Sequence, residues 1–366
     1  MALQLPQLTV SGTRSQMGQQ YGAHFRELIH AFVDNRVAAV TTYLANAGHA
    51  GTEELFKAGA ACLEVVKTFD PAGYEEHLGI AEGAELDPVR LFTTANMTDV
   101  RDVIILPGDP IVTEDEGCTA ALIPAEKSAS GKALQGQTWD LNGPDVEYVV
   151  AIHSLPDDGP ETWSVTCAGC QTLMGMNEYG VSVGTTNLKT YGAKVGVPYL
   201  SLLHAALRQR SLPEASKLFE TTQVAGSHSY WVGDMSHAVE WERTPDTAHS
   251  RSTLDGEAVV RTNHCLVDSN SALETDLSPS TFERFARIKG LVEGEDRHTL
   301  KRLKQHFANR EDGRLSINRR LEDDSGATTN AVVAMDGANR TFLACRGRAD
   351  QGEWVQLEFE RAPALA

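Results

Sequence analysis

Gly117-Cys118-Thr119 is the place in this sequence where residue types and order could do chemistry. A residue with no side chain precedes a thiol, where the acidic run Glu114-Asp115-Glu116 gives way to a strand-like stretch. That order suits a chain that cuts itself. The Cys118 sulfur would attack the Gly117 carbonyl, the acyl group would move from nitrogen to sulfur, and water would release a new N-terminus at Cys118. Glycine suits the acyl position because it tolerates strained backbone angles and leaves its carbonyl unshielded. After the cut, Cys118 would carry its own base. An α-amino group with a pKa of about 7.7–8.0 is partly neutral near physiological pH and can take the thiol proton. The plain alternative is that Cys118 is a small buried hydrophobe opening a strand.

Other reactive residues make weaker patterns. Cys167-Ala168-Gly169-Cys170 has the spacing of a redox dithiol or half a zinc site, but no second such pair or paired histidine lies nearby in sequence. Two unlinked thiols at a turn are expected there. His204, His228, His237 and His264 do not fall at a metal-ligand spacing, so no metal is expected from them. A papain-like pairing of Cys118 with His264 is conceivable. No Walker or dinucleotide glycine motif is present, and no cofactor is expected.

These groups need a scaffold. The 366 residues allow one large domain or two ordinary ones, with 41% hydrophobic and 22% charged residues as in globular proteins. A net charge of −18 argues against nucleic acid or an anionic membrane as partner, because phosphate binding needs clustered cations. It also leans against a strongly anionic acyl donor unless a local arginine cluster offsets it. The start, Met1-Ala2-Leu3-Gln4-Leu5-Pro6, shows no basic leader followed by an apolar run. The six cysteines are Cys62, Cys118, Cys167, Cys170, Cys265 and Cys345, sparse enough to be read as free thiols. A cytoplasmic location is therefore expected.

The first hundred residues read as helical. Met17, Tyr21, Phe25, Leu28, Phe32, Val33, Val37, Val40 and Leu44 define one buried stripe over 13–45. A second helix fits between Thr52 and Pro71, and a third, interrupted one fits 74–92. Composition shifts at Leu106-Pro107-Gly108-Asp109-Pro110, an expected exposed loop. Short strand patterns follow over 119–123, 133–139, 147–153, 163–166, 181–186, 230–233 and 238–241. Helical patterns occupy 198–210, 213–222, 280–292 and 298–307, and strands close the chain at 331–335, 341–345 and 354–359. Two groups of strands separated by helices predict a layered α+β domain.

Several blocks in fixed order then carry a resemblance. Gly117-Cys118-Thr119 is followed by Gln135-Gly136-Gln137-Thr138-Trp139-Asp140, Gly175-Met176-Asn177-Glu178-Tyr179-Gly180, Gly196-Val197-Pro198, Thr262-Asn263-His264-Cys265-Leu266 and Gly326-Ala327-Thr328. This set resembles the acyl-coenzyme A:6-aminopenicillanic acid acyltransferase (isopenicillin N acyltransferase) family of N-terminal nucleophile hydrolases. The resemblance spans most of 117–359. The region before it, including Gly79-Ile80-Ala81-Glu82-Gly83, looks like the family's propeptide.

The resemblance implies a four-layer αββα sandwich preceded by a helical segment, with residues 1–117 as propeptide or α chain and 118–366 as the catalytic β chain. Gly117 and Cys118 match the autoproteolysis site, and Cys118 the nucleophile. Asp140 matches an acidic residue that holds and polarises the nucleophile's amino group. Asn263 matches an oxyanion-hole asparagine whose side-chain N–H meets the tetrahedral oxygen. Asn187, at a strand end lining the family's active site, is a further oxyanion or positioning candidate.

One departure stands out: Asp324-Ser325 occupies the place where the family has an arginine before Gly-Ala-Thr. Serine cannot replace a fixed cation, which puts the penicillin substrate and coenzyme A donor in doubt. Arg319, Arg346 and Arg348 could supply charge from nearby, but each reads first as an ordinary surface arginine. The expected activity is hydrolysis of a small acylated amine or peptide through a thioester on Cys118, with the cleaved N-terminal fragment as partner. Acyl transfer to an amine is the alternative. An inactive binding protein of the same fold and a thiol oxidoreductase using Cys167 and Cys170 are the remaining readings.

Overall fold

The structure, a computed structural model, describes residues 2–46, 48, 51–106, 117–275, 277–323 and 326–360. Two sheets form its centre. The eight-stranded sheet has the spatial order β1 (Gln7–Gly12), β4 (Val149–Pro156), β5 (Thr162–Cys167), β6 (Met174–Asn177), β7 (Ser182–Leu188), β8 (Ser227–Gly233), β9 (Ala238–Arg243) and β10 (Ala248–Ser252). The six-stranded sheet has the order β11 (Val259–Arg261), β2 (Gly117–Ile123), β3 (Leu134–Asn142), β12 (Ala327–Asp336), β13 (Thr341–Arg346) and β14 (Trp354–Leu357).

The alternation of side chains along these strands makes the layers. On β2, Ala120 and Leu122 join the core that holds Trp139, Trp231 and Met335, whereas Ala121 and Ile123 face Ile288 and Leu303. Those last two belong to α10 (Pro279–Glu293) and α11 (Leu300–Phe307), which follow the short α9 (Asp268–Ser271) and cover the smaller sheet. The larger sheet is covered at Val183, Tyr230 and Val232 by α7 (Tyr199–Leu207) and α8 (Leu212–Thr221). The result is the expected αββα sandwich.

The N-terminal region adds α1 (Arg14–His24), α2 (Arg26–Asn46), α3 (Glu53–Phe69), α4 (Pro71–Ala84), α5 (Pro88–Ala95) and α6 (Met97–Ile105). It differs from the sequence reading in two ways. The stripe read as one helix over 13–45 belongs to two, because the chain breaks at Phe25 while its apolar face continues through Ile29 and Phe32. The region also opens with a strand rather than a helix: β1 pairs in parallel with β4 from Gln7↔Ala151 to Gly12↔Pro156.

Helices α1 and α4 approach closely enough to need glycine. A Cβ on Gly22 would lie 2.1 Å from the Ile80 carbonyl oxygen, and one on Gly83 would lie 2.3 Å from that of Gln19. Among the described residues no helix is long and apolar enough to cross a membrane.

Candidate active site

The strand β2 starts at the chemistry. Its register puts Gly117 opposite Asp140 and Cys118 opposite Trp139 on β3. Cys118, Asp140, Asn187 and Asn263 all line one cavity, with Tyr199 and His228 on its wall. The structure thus brings together every residue that the resemblance singled out. The cavity is small, about 30 Å³, room for a water or two.

Asn263 sits between the sheets, just beyond β11. Its backbone N–H donates to Thr281 Oγ1 (2.8 Å), and the preceding Thr262 carbonyl accepts from Thr186 Oγ1 on β7 (2.7 Å). Its side-chain oxygen accepts from the Cys118 N–H (2.8 Å) and from Arg284 Nη2 (2.9 Å). With donors on that side, the amide nitrogen must face the other way, and it donates to the Asn187 carbonyl at 3.0 Å. Asn263 therefore holds the Cys118 nitrogen, a contact absent from the sequence reading, which assigned its N–H to an oxyanion. Asn187 contributes its main-chain oxygen to this arrangement.

Asp140 is buried at 1% exposure. Thr329 Oγ1 on β12 donates to its Oδ1 (2.7 Å), and Thr138 Oγ1 lies 3.4 Å from its Oδ2. Burial pushes its carboxyl above the usual range, although Arg284, Arg319 and the two hydroxyls pull it back.

Two arginines complete the site. Arg284, on the inner face of α10, donates to the Cys118 carbonyl through Nη1 and to Thr119 Oγ1 at 3.1 Å. Arg319 is not a surface residue as expected but 1% exposed, with its backbone held by the Thr328–Thr329 segment. Its N–H donates to Thr329 Oγ1 (2.9 Å), and its carbonyl accepts from Thr328 Oγ1 (3.2 Å). Arg346 reaches Glu147 and Arg348 reaches Asp350, and neither lines the cavity. Asp324 and Ser325, where the family arginine would fall, lie outside the described residues.

Gly117 is special for its space rather than its torsion. It is not among the residues of positive φ. An added Cβ would lie 2.9 Å from Arg319 Nη1, 3.2 Å from Arg284 Nη2 and 3.3 Å from Asp140 Oδ2. A side chain here would have to push aside the ends of two guanidinium groups and a carboxylate that crowd the main chain.

The competing readings lose ground on geometry. Cys167 and Cys170 are unbridged and buried, and burial pushes the Cys170 thiol up to about 12, the opposite of a reactive dithiol. His264 hydrogen-bonds Thr262 and Thr281 through Nδ1, is pushed down to about 4 by burial with Arg261 and Arg284 near, and does not line the cavity. His228 does line it, with Nε2 on the Asp99 carboxylate and its ring stacked on Tyr199 at 4.9 Å. Asp99 comes from α6, so the N-terminal region braces the cavity wall.

A four-layer αββα sandwich with a cysteine in an inner strand beside buried amide, carboxylate and guanidinium groups has the architecture of an N-terminal nucleophile hydrolase. Comparison with known proteins narrows this. The family model for acyl-coenzyme A:6-aminopenicillanic acid acyl-transferase matches residues 127–351, and the chain belongs to that family. The match includes Asp140, Asn187 and Asn263 and begins after Cys118. The acyl-coenzyme A:6-aminopenicillanic-acid-acyltransferase 40 kDa form of Emericella nidulans is 27% identical over 345 residues, covering 93% of this chain and 92% of that protein. Similar solved structures include the Caenorhabditis elegans N-acylethanolamine-hydrolyzing acid amidase orthologue, at 15% identity and TM-score 0.45 over 61% of this chain and 96% of that one. Penicillin V acylase from Agrobacterium tumefaciens is 9% identical with TM-score 0.43, covering 63% and 82%. As a member of that family the chain is an enzyme of the acyl-transferring kind.

Proposed function

We propose that this chain cuts itself between Gly117 and Cys118 and then uses Cys118 as the nucleophile of an amidohydrolase for small acylated amines or peptides. The observation that carries the reading is the 2.8 Å contact from the Cys118 nitrogen to Asn263 Oδ1, at a glycine crowded by Arg284, Arg319 and Asp140.

In the first step Cys118 Sγ adds to the Gly117 carbonyl carbon, and the C–N bond breaks as the nitrogen gains a proton. The product is a thioester between the Gly117 acyl group and Cys118, which water hydrolyses to a Gly117 carboxylate and a free thiol. Negative charge develops at the Gly117 carbonyl beside two fixed cations, the condition that lowers such a barrier. The freed amine stays where its amide was, donating one N–H to Asn263 and polarised by Asp140. Its lone pair can then take the thiol proton for attack on a substrate amide. The second N–H of the Asn263 amide is the oxyanion donor on this reading, with Asn187 positioning that amide.

Residues 1–117 and 118–366 would form a heterodimer of fragments. Hydrolysis needs only water as acceptor. Acyl transfer to an amine is the second reading and is favoured by family membership, and the buried pair Arg284 and Arg319 supplies cations that the sequence lacked at Ser325. Free, buried cysteines fit a cytoplasmic location.

The test is intact-mass analysis with N-terminal sequencing of the purified protein. Two fragments are expected, the second beginning Cys118-Thr119-Ala120, and Cys118→Ala should stay whole. A single full-length species that hydrolyses acylated amines would overturn the mechanism.

A further inference from the structure

Away from the cavity, Glu295, His298 and His306 each offer a ligand atom to one group whose members all lie within 4.8 Å of one another. His298 is fully buried, and its Nε2 faces the Val292 carbonyl at 3.0 Å. A carbonyl only accepts, so that nitrogen carries the proton and Nδ1 presents a bare lone pair. His298 Nδ1 and His306 Nε2 are both buried without a hydrogen-bond partner. Two orphaned imidazole nitrogens side by side in a core are costly unless something fills the gap between them. The Glu295 carboxylate closes the group, with Oε2 3.8 Å from His306 Nε2. Its side chain is 25% exposed, which gives an ion a way in.

We propose that these residues form a Zn²⁺ site, bound by His298 Nδ1, His306 Nε2 and one Glu295 oxygen, with water as the fourth ligand. Two imidazoles and a carboxylate are a zinc donor set. Tetrahedral bonds of about 2.0–2.1 Å place ligand atoms roughly 3.3 Å apart, so the group closes by about 1.5 Å at most. Arg302 Nε, 2.9 Å from Glu295 Oε1 and 2.7 Å from Oε2, orients the carboxylate from outside and moderates the affinity by its charge.

The site would fasten three elements. Glu295 follows the end of α10, the helix that carries Arg284, and His306 lies on α11. The His298 backbone donates to Lys127 and accepts from Ala129, both at 2.8 Å, in the loop of the β2–β3 hairpin. That hairpin carries Cys118 near its start and Asp140 near its end.

Titration of the EDTA-stripped full chain with ZnCl₂, by calorimetry and by thermal melting, tests the site. One Zn²⁺ per chain and a raised melting temperature are expected. Glu295→Gln and His306→Gln should each weaken binding by at least about 100-fold, beyond the usual loss of an outer-shell partner. They should also lose the Zn²⁺-dependent rise in melting temperature while keeping the far-ultraviolet circular dichroism of the wild type. Co²⁺ in place of Zn²⁺ should show tetrahedral d–d bands without sulfur-to-cobalt charge transfer. Absence of saturable binding by the wild type would overturn the proposal and leave a bridging water between the histidines. Equal binding by both variants, or a charge-transfer band placing the ion on a cysteine, would overturn it as well.

Discussion

Asn263 Oδ1 accepts a hydrogen bond from the backbone nitrogen of Cys118 at 2.8 Å and one from Arg284 at 2.9 Å. One amide oxygen thus couples the nitrogen of the proposed scissile bond to a buried cation. Replacing Asn263 with alanine removes that acceptor and the proposed oxyanion donor together. Self-scission is expected to slow by about 10²–10³-fold, as for loss of one oxyanion donor. Pulse–chase of the newly made chain reads the rate; scission at the wild-type rate would remove Asn263 from the mechanism.

Asp140 gives a pH prediction. Burial raises its carboxyl, and Arg284 and Arg319 oppose that rise. Arg319→Met removes one opposing cation, so the carboxyl should rise further and stay protonated to higher pH. If activity needs the ionised form, the acid limb of amide hydrolysis moves to higher pH in this variant. A pH profile of kcat/KM on the best acylated amine shows it, and an unmoved or lowered limb contradicts the role of Asp140.

Acid stability should depend on Glu76. Burial alone would raise its carboxyl, but His204 Nε2 at 3.2 Å and Arg14 Nη1 at 3.4 Å outweigh burial and bring it down from 4.5 to about 2. A depressed carboxylate stabilises the fold above its unfolded pKa and loses that contribution as pH falls through the folded one. Wild-type stability should therefore decline between pH 4.5 and about 2, by an order of 3 kcal/mol from this group. Glu76→Gln should be less stable at neutral pH and flatter over that window in urea unfolding; parallel curves would dismiss the linkage.

Gly22→Val tests the contact of α1 with α4. The Ile80 carbonyl that its Cβ would meet is main chain and cannot rotate aside. A loss of at least about 3 kcal/mol is expected, the upper end of ordinary overpacking. Calorimetric melting measures it, and a wild-type melting temperature would mean that the helices can separate at no cost.

The strands most legible in the sequence were those with a buried face, such as β12, where Val332 and Ala334 turn one way and Val333 and Met335 the other. Strands without that signal went unread. Ala248-His249-Ser250-Arg251-Ser252 forms edge strand β10 with no apolar residue beyond alanine, and β1 is a largely exposed edge, so neither carries a core pattern. Two further strands, β6 and β11, are only four and three residues long.

The site follows the same logic. The blocks around Cys118, Asp140 and Asn263 were visible as ordered motifs. Arg284 had a usable signal, since it lies one helical turn before Ile288 and two before Val292, a cation on an apolar stripe. Arg319 stood out only as one of three arginines near the departure at Ser325, and nothing in its loop distinguished it as buried, because its backbone is held by contacts to Thr328 and Thr329 made in the fold.

Strand β1 gives the proposed cut an order in time. Residues Gln7–Gly12 are hydrogen-bonded into the larger sheet, and Asp99 reaches the cavity wall from the same side of the cut. A precursor brings these parts together within one molecule, where linkage supplies a high effective concentration. Two separately made pieces would instead have to meet by diffusion, each with an open sheet edge or an uncovered core. Connectivity is needed only until the sheets close, and the peptide bond at Gly117 can then be lost without loss of the assembly.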